Sequence, residues 1–311
     1  MIQESYNRED MDPVLVKFSD YLKYEKSGGL KQGSIDRYLL NLRHFQQESG
    51  KHLFELRTYR DIADAIRGLR ARHGWSGSTT KNAADTASVF YNWAARFQYI
   101  HQSPMQLGHE FKNKDRRQMD FFDWESEGFK KLIYNPNNSV RDNAIFHTLR
   151  SGGLRASELC DLKFRNPNDI FLKERVLRVR EAKCNGWREA NFDEETQTWL
   201  ALYIPQLERH SRLDHLFQNE NFREQLSTST LYKMVSRKAD RLGIRAYPHK
   251  FRRSLGGEMI SNGADLTMVK EQLGHKRIST TADHYVGFST KRKKENYDRF
   301  TPKMEQSVSL T

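Results

Sequence analysis

Apolar residues recur three and four apart through the first hundred positions, a spacing that predicts four helices. Asp12 and Pro13 supply a cap and a first-turn proline, Leu15, Phe18 and Leu22 line one face, and Gly28-Gly29 ends the first helix. Ser34 opens a second helix with Ile35, Tyr38, Leu42 and Phe45 on its apolar stripe and Gly50 as its stop. A third runs through Ile62, Ile66 and Leu69 to Gly74. The fourth starts near Ser78 and carries Ala84, Ala87, Tyr91 and Ala94 beside the aromatic set Phe90, Trp93 and Phe97. In a small bundle, rings at helical spacing are core rather than a stacking surface for bases.

From Phe121 the pattern is mixed. Helical spacing over 124–133 and 141–149 leads to Ser151-Gly152-Gly153, a turn that starts another short helix. The V-L-R-V-R run from Val176 and a polar turn from Cys184 to Trp187 predict a small antiparallel hairpin or three-stranded sheet. Further helices are expected over 194–207 and 229–242. Between the two regions lies F-K-N-K-D-R-R-Q, in which Lys112, Lys114, Arg116 and Arg117 leave little to bury, as in a linker near a phosphate backbone. The expected fold is mainly α with a small antiparallel β-sheet around 160–193. A helical bundle over 1–104, a linker over 105–120 and a second domain over 121–311 divide the chain, whose 311 residues are comfortable for two cores.

The formal charge of +12 is shared, since both regions carry more Lys and Arg than Asp and Glu. An excess on both domains suits a long polyanion gripped by both, because each neutralised phosphate releases counterions. Only Cys160 and Cys184 are present, in separate segments, so neither a disulfide framework nor a structural zinc site is expected. No run approaches the ~20 apolar residues of a membrane span, and the polar start is unlike a signal peptide. The expectation is a cytoplasmic protein with no membrane contact, whose charge suits DNA or RNA.

Three strings in the second region carry chemistry: G-L-R-A-S-E-L from Gly153, H-K-F-R-R from His249, and L-G-H ending at His275, with Tyr285 ten positions on. Breaking a phosphodiester with a side-chain nucleophile gathers negative charge on the nonbridging oxygens, and arginine meets it best, with a planar fork that keeps its proton. Arg155 and Arg252 are the candidates, with Glu158 placed to orient the first. Pro248 is suited to start a helix, which puts His249 in its first turn and Arg252 on the same face. A helix capped at Asp265, buried through Leu266, Val269 and Leu273 and stopped by Gly274 would leave His275 just past its end. Ser279 can cap a last helix holding Tyr285.

These strings resemble the tyrosine recombinase (phage integrase) family over roughly the last two-thirds of the chain. The resemblance implies a helical core-binding domain ahead of a catalytic domain, closing together on double-stranded DNA. It also implies roles: Arg155, His249, Arg252 and His275 around the phosphate, Tyr285 as nucleophile, and a lysine on a strand turn as general acid. That lysine is Lys183, with Lys173 upstream as the alternative. Arg253 stands where a histidine is frequent in the family, and Cys184 follows Lys183 where glycine is common. The implied reaction joins the DNA 3′ phosphate to tyrosine and needs no cofactor, metal or ATP; the implied assembly is a homo-tetramer on two recombination sites. A type IB topoisomerase shares the chemistry, and a non-catalytic DNA-binding regulator would share the fold. A metal-dependent nuclease is disfavoured, because no carboxylate cluster accompanies the arginines.

Overall fold

A computed structural model describes residues 11–26, 28–112, 120–165, 167–181 and 186–275. The chain divides into two compact units, Met1–Gln118 and Met119–Thr311. Among the described residues no helix is long and apolar enough to cross a membrane.

The first unit is a bundle of α1 (Pro13–Asp20), α2 (Gln32–Ser49), α3 (Tyr59–His73) and α4 (Gly77–Arg96). A π-helical turn, Tyr21–Glu25, extends α1. Asp12 accepts from the Val14 N–H at 2.9 Å, and Thr58 and Asp61 cap α3 reciprocally. Two starts differ from expectation. Helix α2 begins at Gln32, with Ser34 inside its first turn, and α4 begins at Gly77 because Ser76 is the cap that accepts from the Thr79 N–H. Phe18, Phe45, Phe90, Tyr91 and Trp93 are core, as the helical spacing predicts, whereas Phe97 is 43% exposed. Met105, inside the expected linker, is buried in this core, and Phe111 packs against it. Lys114, Arg116 and Arg117 lie outside the described residues.

The second unit packs α5 (Glu127–Ile133), α6 (Val140–Gly152), α7 (Ala156–Asp161), α8 (Glu194–His210), α9 (Thr228–Asp240), α10 (Pro248–Ser261) and α11 (Leu266–Leu273) with a three-stranded antiparallel sheet. Its strands β1 (Ile170–Phe171), β2 (Val176–Glu181) and β3 (Gly186–Asn191) lie in that order. Gly186 and Trp187, read from sequence as turn, belong to β3, since Glu181 pairs with Gly186 and Arg180 with Trp187. Leu177, Val179 and Ala190 belong to the same buried core as Phe146, Leu149 and Phe251, and Leu177 and Val179 each contribute about 1.5–3 kcal/mol by leaving water. Leu266, expected in the α11 core, is 37% exposed, and the buried stripe of α11 is Val269, Gln272 and Leu273.

Candidate active site

Three chain segments meet where α6 ends, α10 begins and α11 ends. Helix α6 stops at Gly153, whose φ of +61° places it in the left-handed region. A Cβ there would also lie 2.7 Å from the Leu273 side chain and 2.8 Å from the Leu255 side chain, so any other residue would strain the backbone and push two core leucines aside. The chain then turns into α7 with Arg155 as its cap residue.

Arg155 is pinned from two sides. Its guanidinium pairs with the Glu158 carboxylate, its backbone N–H donates to Glu158 Oε2 at 2.9 Å, and its Nη2 donates to the Gly274 carbonyl at 3.1 Å. The side chain remains 45% exposed, so its position is fixed while its charge faces solvent.

Helix α10 opens as predicted, with Pro248 at its first position and Tyr247 extended before it. His249 follows on the exposed side of the first turn. Arg252 is 2% exposed: Nη1 donates to the Gly153 carbonyl at 2.7 Å, Nη2 donates to the Leu273 carbonyl, and Glu158 lies 3.8 Å away. The lysine between His249 and Arg252 is structural, since Lys250 is buried against Asp120 at 2.7 Å and over the Phe122 ring at 4.5 Å. Phe122 is held in turn by donating its N–H to Ser254 Oγ at 2.7 Å.

Helix α11 is capped by Asp265, which accepts from the Thr267 and Met268 N–H groups, and is stopped by Gly274 at φ +63°. His275 follows, half-buried, its N–H donating to the Lys270 carbonyl at 3.0 Å. Arg155, Arg252 and His275 are thus brought to one place through Gly153, Leu273 and Gly274. Lys183 and Tyr285 lie outside the described residues.

Glu158 is the hub. Burial pushes its carboxyl up, but the Arg188 guanidinium, the Arg155 N–H and the charges of Arg155 and Arg252 outweigh burial and hold it below the usual glutamate range. Sequence reasoning missed two members of this cluster, Arg188 and Gln272. Gln272 carried a signal, since it lies on the stripe of Val269 and Leu273, whereas Arg188 is set on the inward register of β3 only by its pairing with Val179. Among the described residues no group of three or more His, Cys, Asp or Glu side chains could hold a metal ion. The arrangement offers two full positive charges, one buried and one exposed, beside a helix-end histidine, which suits a phosphoryl oxyanion.

A profile of the phage integrase family matches residues 125–292, more than half of the chain. The chain belongs to the phage integrase family. Among curated integrase-family relatives, tyrosine recombinase XerD of Staphylococcus aureus is 26% identical over 305 residues, covering 94% of this chain and all of that protein. XerD of Staphylococcus saprophyticus is 28% identical over 306 residues with the same coverage. Among solved structures, the Tn1549 transposon integrase in complex with a circular intermediate DNA superposes with a TM-score of 0.74 at 16% identity, over 92% of this chain and 98% of that one. A lambda integrase dimer bound to a core site gives 0.68 at 16% identity, over 96% and 98%. The mainly helical fold with its small antiparallel sheet is that of these integrases.

Proposed function

We propose that this chain is a site-specific DNA recombinase that cuts and rejoins duplex DNA through a covalent 3′-phosphotyrosyl intermediate on Tyr285. The observation that carries the reading is the convergence of Arg155 and Arg252 on Glu158 at the end of α11, which assembles a phosphate-binding pair from residues 97 apart in sequence. The curated relatives are tyrosine recombinases by name, and a structural neighbour, XerH, is described bound to its difH substrate in a post-cleavage complex.

In this reading Arg155 and Arg252 hold the nonbridging oxygens of the scissile phosphate, and His249 and His275 add donors beside them. A guanidinium has five N–H groups and a permanent charge, so the two carbonyl bonds of Arg252 place the charge without cancelling it. Tyr285 attacks phosphorus, its phenol passing its proton to solvent water as the new P–O bond forms. The bond to the 5′ oxygen breaks, and Lys183 protonates that leaving group. A 5′ hydroxyl from a partner strand reverses the steps, so the bond energy is conserved and no nucleotide is needed. The first unit is assigned to DNA gripping, the second to catalysis, and the working assembly is a homo-tetramer on two sites.

A nicked suicide substrate carrying the recombination site tests this reading. The wild-type chain should accumulate covalent adduct. Tyr285→Phe should fold, bind with near-normal affinity and form none, while Tyr297→Phe, the nearest downstream tyrosine, should behave as wild type. An adduct retained in Tyr285→Phe and lost in Tyr297→Phe would overturn the assignment. Efficient relaxation of a plasmid lacking the site would favour a topoisomerase instead.

A further inference from the structure

Arg253 differs from the charged side chains around it in having no partner. Among the described residues no carboxylate and no hydrogen bond holds it, and its Nε is buried without an acceptor. Each neighbouring cation is compensated: Lys250 by Asp120 at 2.7 Å, Arg155 and Arg188 by Glu158, and Arg252 by two backbone carbonyls with Glu158 at 3.8 Å. Arg253 is half-buried, so its charge has lost part of its water and gained no anion in return. In the chain alone that arrangement costs free energy.

Helix α10 fixes where the charge points. Pro248, Lys250, Phe251, Arg252 and Ser254 are buried, which leaves His249 and Arg253, four residues apart, on the open side. Consecutive residues of a helix diverge by about 100°. Arg252 therefore turns to the carbonyls of Gly153 and Leu273, while Arg253 turns away from them.

The surroundings of Arg253 are aromatic rather than acidic. Tyr232 on α9 is 42% exposed; burial and the Tyr247 phenol push its own phenol up, and the Arg253 charge opposes them. A phenol so held keeps its proton at neutral pH and remains a hydrogen-bond donor. Arg245, over the Tyr247 ring at 5.7 Å, adds a further positive charge beside it.

We infer that Arg253 binds a second DNA phosphate, the one next to the scissile phosphate on the same strand. The inference rests on the proposed reaction, in which Arg155 and Arg252 already meet the nonbridging oxygens of the scissile group. Arg253 stands about 6 Å along the helix axis from His249 and points about 100° away from Arg252, so the two arginine forks do not converge on one phosphate. The next acceptor that a DNA strand offers is the neighbouring phosphate. A guanidinium suits it, since its fork bonds two phosphate oxygens and its charge releases condensed counterions. The phosphate in turn supplies the anion that the folded chain lacks at this position.

Equilibrium binding to a duplex carrying the recombination site tests this, with the scissile phosphate located first by the covalent adduct on the nicked suicide substrate. Arg253→Gln should weaken binding about tenfold, the scale of one charge-assisted hydrogen bond, and lower the slope of log affinity against log salt by about 0.9, one phosphate. Duplexes in which one phosphate at a time is replaced by an uncharged methylphosphonate give the address. Neutralising the adjacent phosphate should weaken wild type by a similar factor and Arg253→Gln by less than about twofold, because the pair is already broken. At every other position the two proteins should lose equally. If Arg253→Gln fails to fold, Arg253→His carries the residue frequent in the family. Its salt slope should be smaller than that of wild type by about 0.9 at pH 8, where imidazole is neutral, and the gap should narrow at pH 6, where it is mostly charged. Coupling at the scissile phosphate itself would make Arg253 a third cation of the reacting centre and overturn the inference, as would an unchanged salt slope. An adduct with equal losses at every position overturns the inference alone. Absence of any adduct with the wild-type chain overturns the proposed reaction and the inference with it.

Discussion

Arg252 donates a hydrogen bond to the carbonyl oxygen of Gly153 at 2.7 Å across 99 residues of sequence, and the same guanidinium reaches forward to Leu273. One buried side chain thus satisfies the last carbonyls of two helices, α6 and α11, that would otherwise lack partners. Arg155, by contrast, is 45% exposed.

The two arginines should therefore separate stability from chemistry. Removing either should slow cleavage by at least about 10²-fold, the scale for one preorganised transition-state donor. Arg252→Ala should in addition lower stability by about 2–4 kcal/mol, because two buried carbonyls lose their donor. Arg155→Ala should leave the melting temperature nearly unchanged. Denaturant titration beside single-turnover cleavage checks both expectations, and equal melting temperatures would contradict the burial argument.

Glu158 ties stability to acid pH. Its carboxyl titrates lower in the folded chain than in the unfolded one, where the value is about 4.3. The stabilisation is thus fully present above about pH 4.3 and is lost as pH falls through the folded value. Glu158→Gln should be less stable at pH 7 and show a flatter acid limb below pH 4.3. An acid limb identical to that of the wild type would remove Glu158 from the explanation.

His147 acts at a milder pH. It is fully buried between the Tyr134 and Trp199 rings, and burial, with the nearby Arg150 charge, pushes its pKa down to about 4. Its unfolded value is near 6.5, so its contribution is complete above about pH 6.5 and declines as pH falls towards 4, by about 3 kcal/mol in all. His147→Phe keeps the ring stacking and should flatten the stability profile across that window, measured by urea unfolding at pH 7 and 4.5. The same slope in the variant would contradict the assignment.

Cleavage should survive EDTA. In the proposed reaction the charges on the phosphate come from arginines and the phosphotyrosyl bond stores the energy for rejoining, which leaves no step to metal or nucleotide. Loss of adduct in chelator with recovery on adding magnesium would sink the mechanism.

Truncation after Phe288 tests the assembly. Lys291, Arg292, Lys293 and Lys294 with Tyr297 and Phe300 give the sequence after the proposed nucleophile a basic and apolar character suited to packing on a neighbouring subunit. The truncated chain should bind a single site normally and form the two-site complex less well in native gels. Unaltered recombination would remove the tail from the interface.

The helices that carry the site were legible because their ends are chemical. Pro248, Asp265 and Gly274 mark the start of α10 and both ends of α11 where the structure has them. Arg155 and Arg252 were legible as charges suited to a phosphate. Their different settings were not, because the burial of Arg252 depends on carbonyls 99 residues back and 21 forward. Arg188 was hidden because a polar residue in a short strand suggests the solvent side, and only the pairing with Val179 fixes its face. Leu266 departs in the opposite sense: an apolar residue beside a helix cap predicts core, yet it stands partly in solvent. Lys183 and Tyr285 were named from their strings alone.

The reach of Arg252 also sets the order in which a newly made chain gains its abilities. Helices α1 to α4 are complete before the ribosome has translated the turn at Gly153, so the basic bundle can fold at once from nearby segments. The acceptor at Leu273 arrives only after nearly all of the second unit, and loop closure over that span comes late. A growing chain that ends before α11 therefore carries positive charge without the acceptor that completes the Arg252 connection.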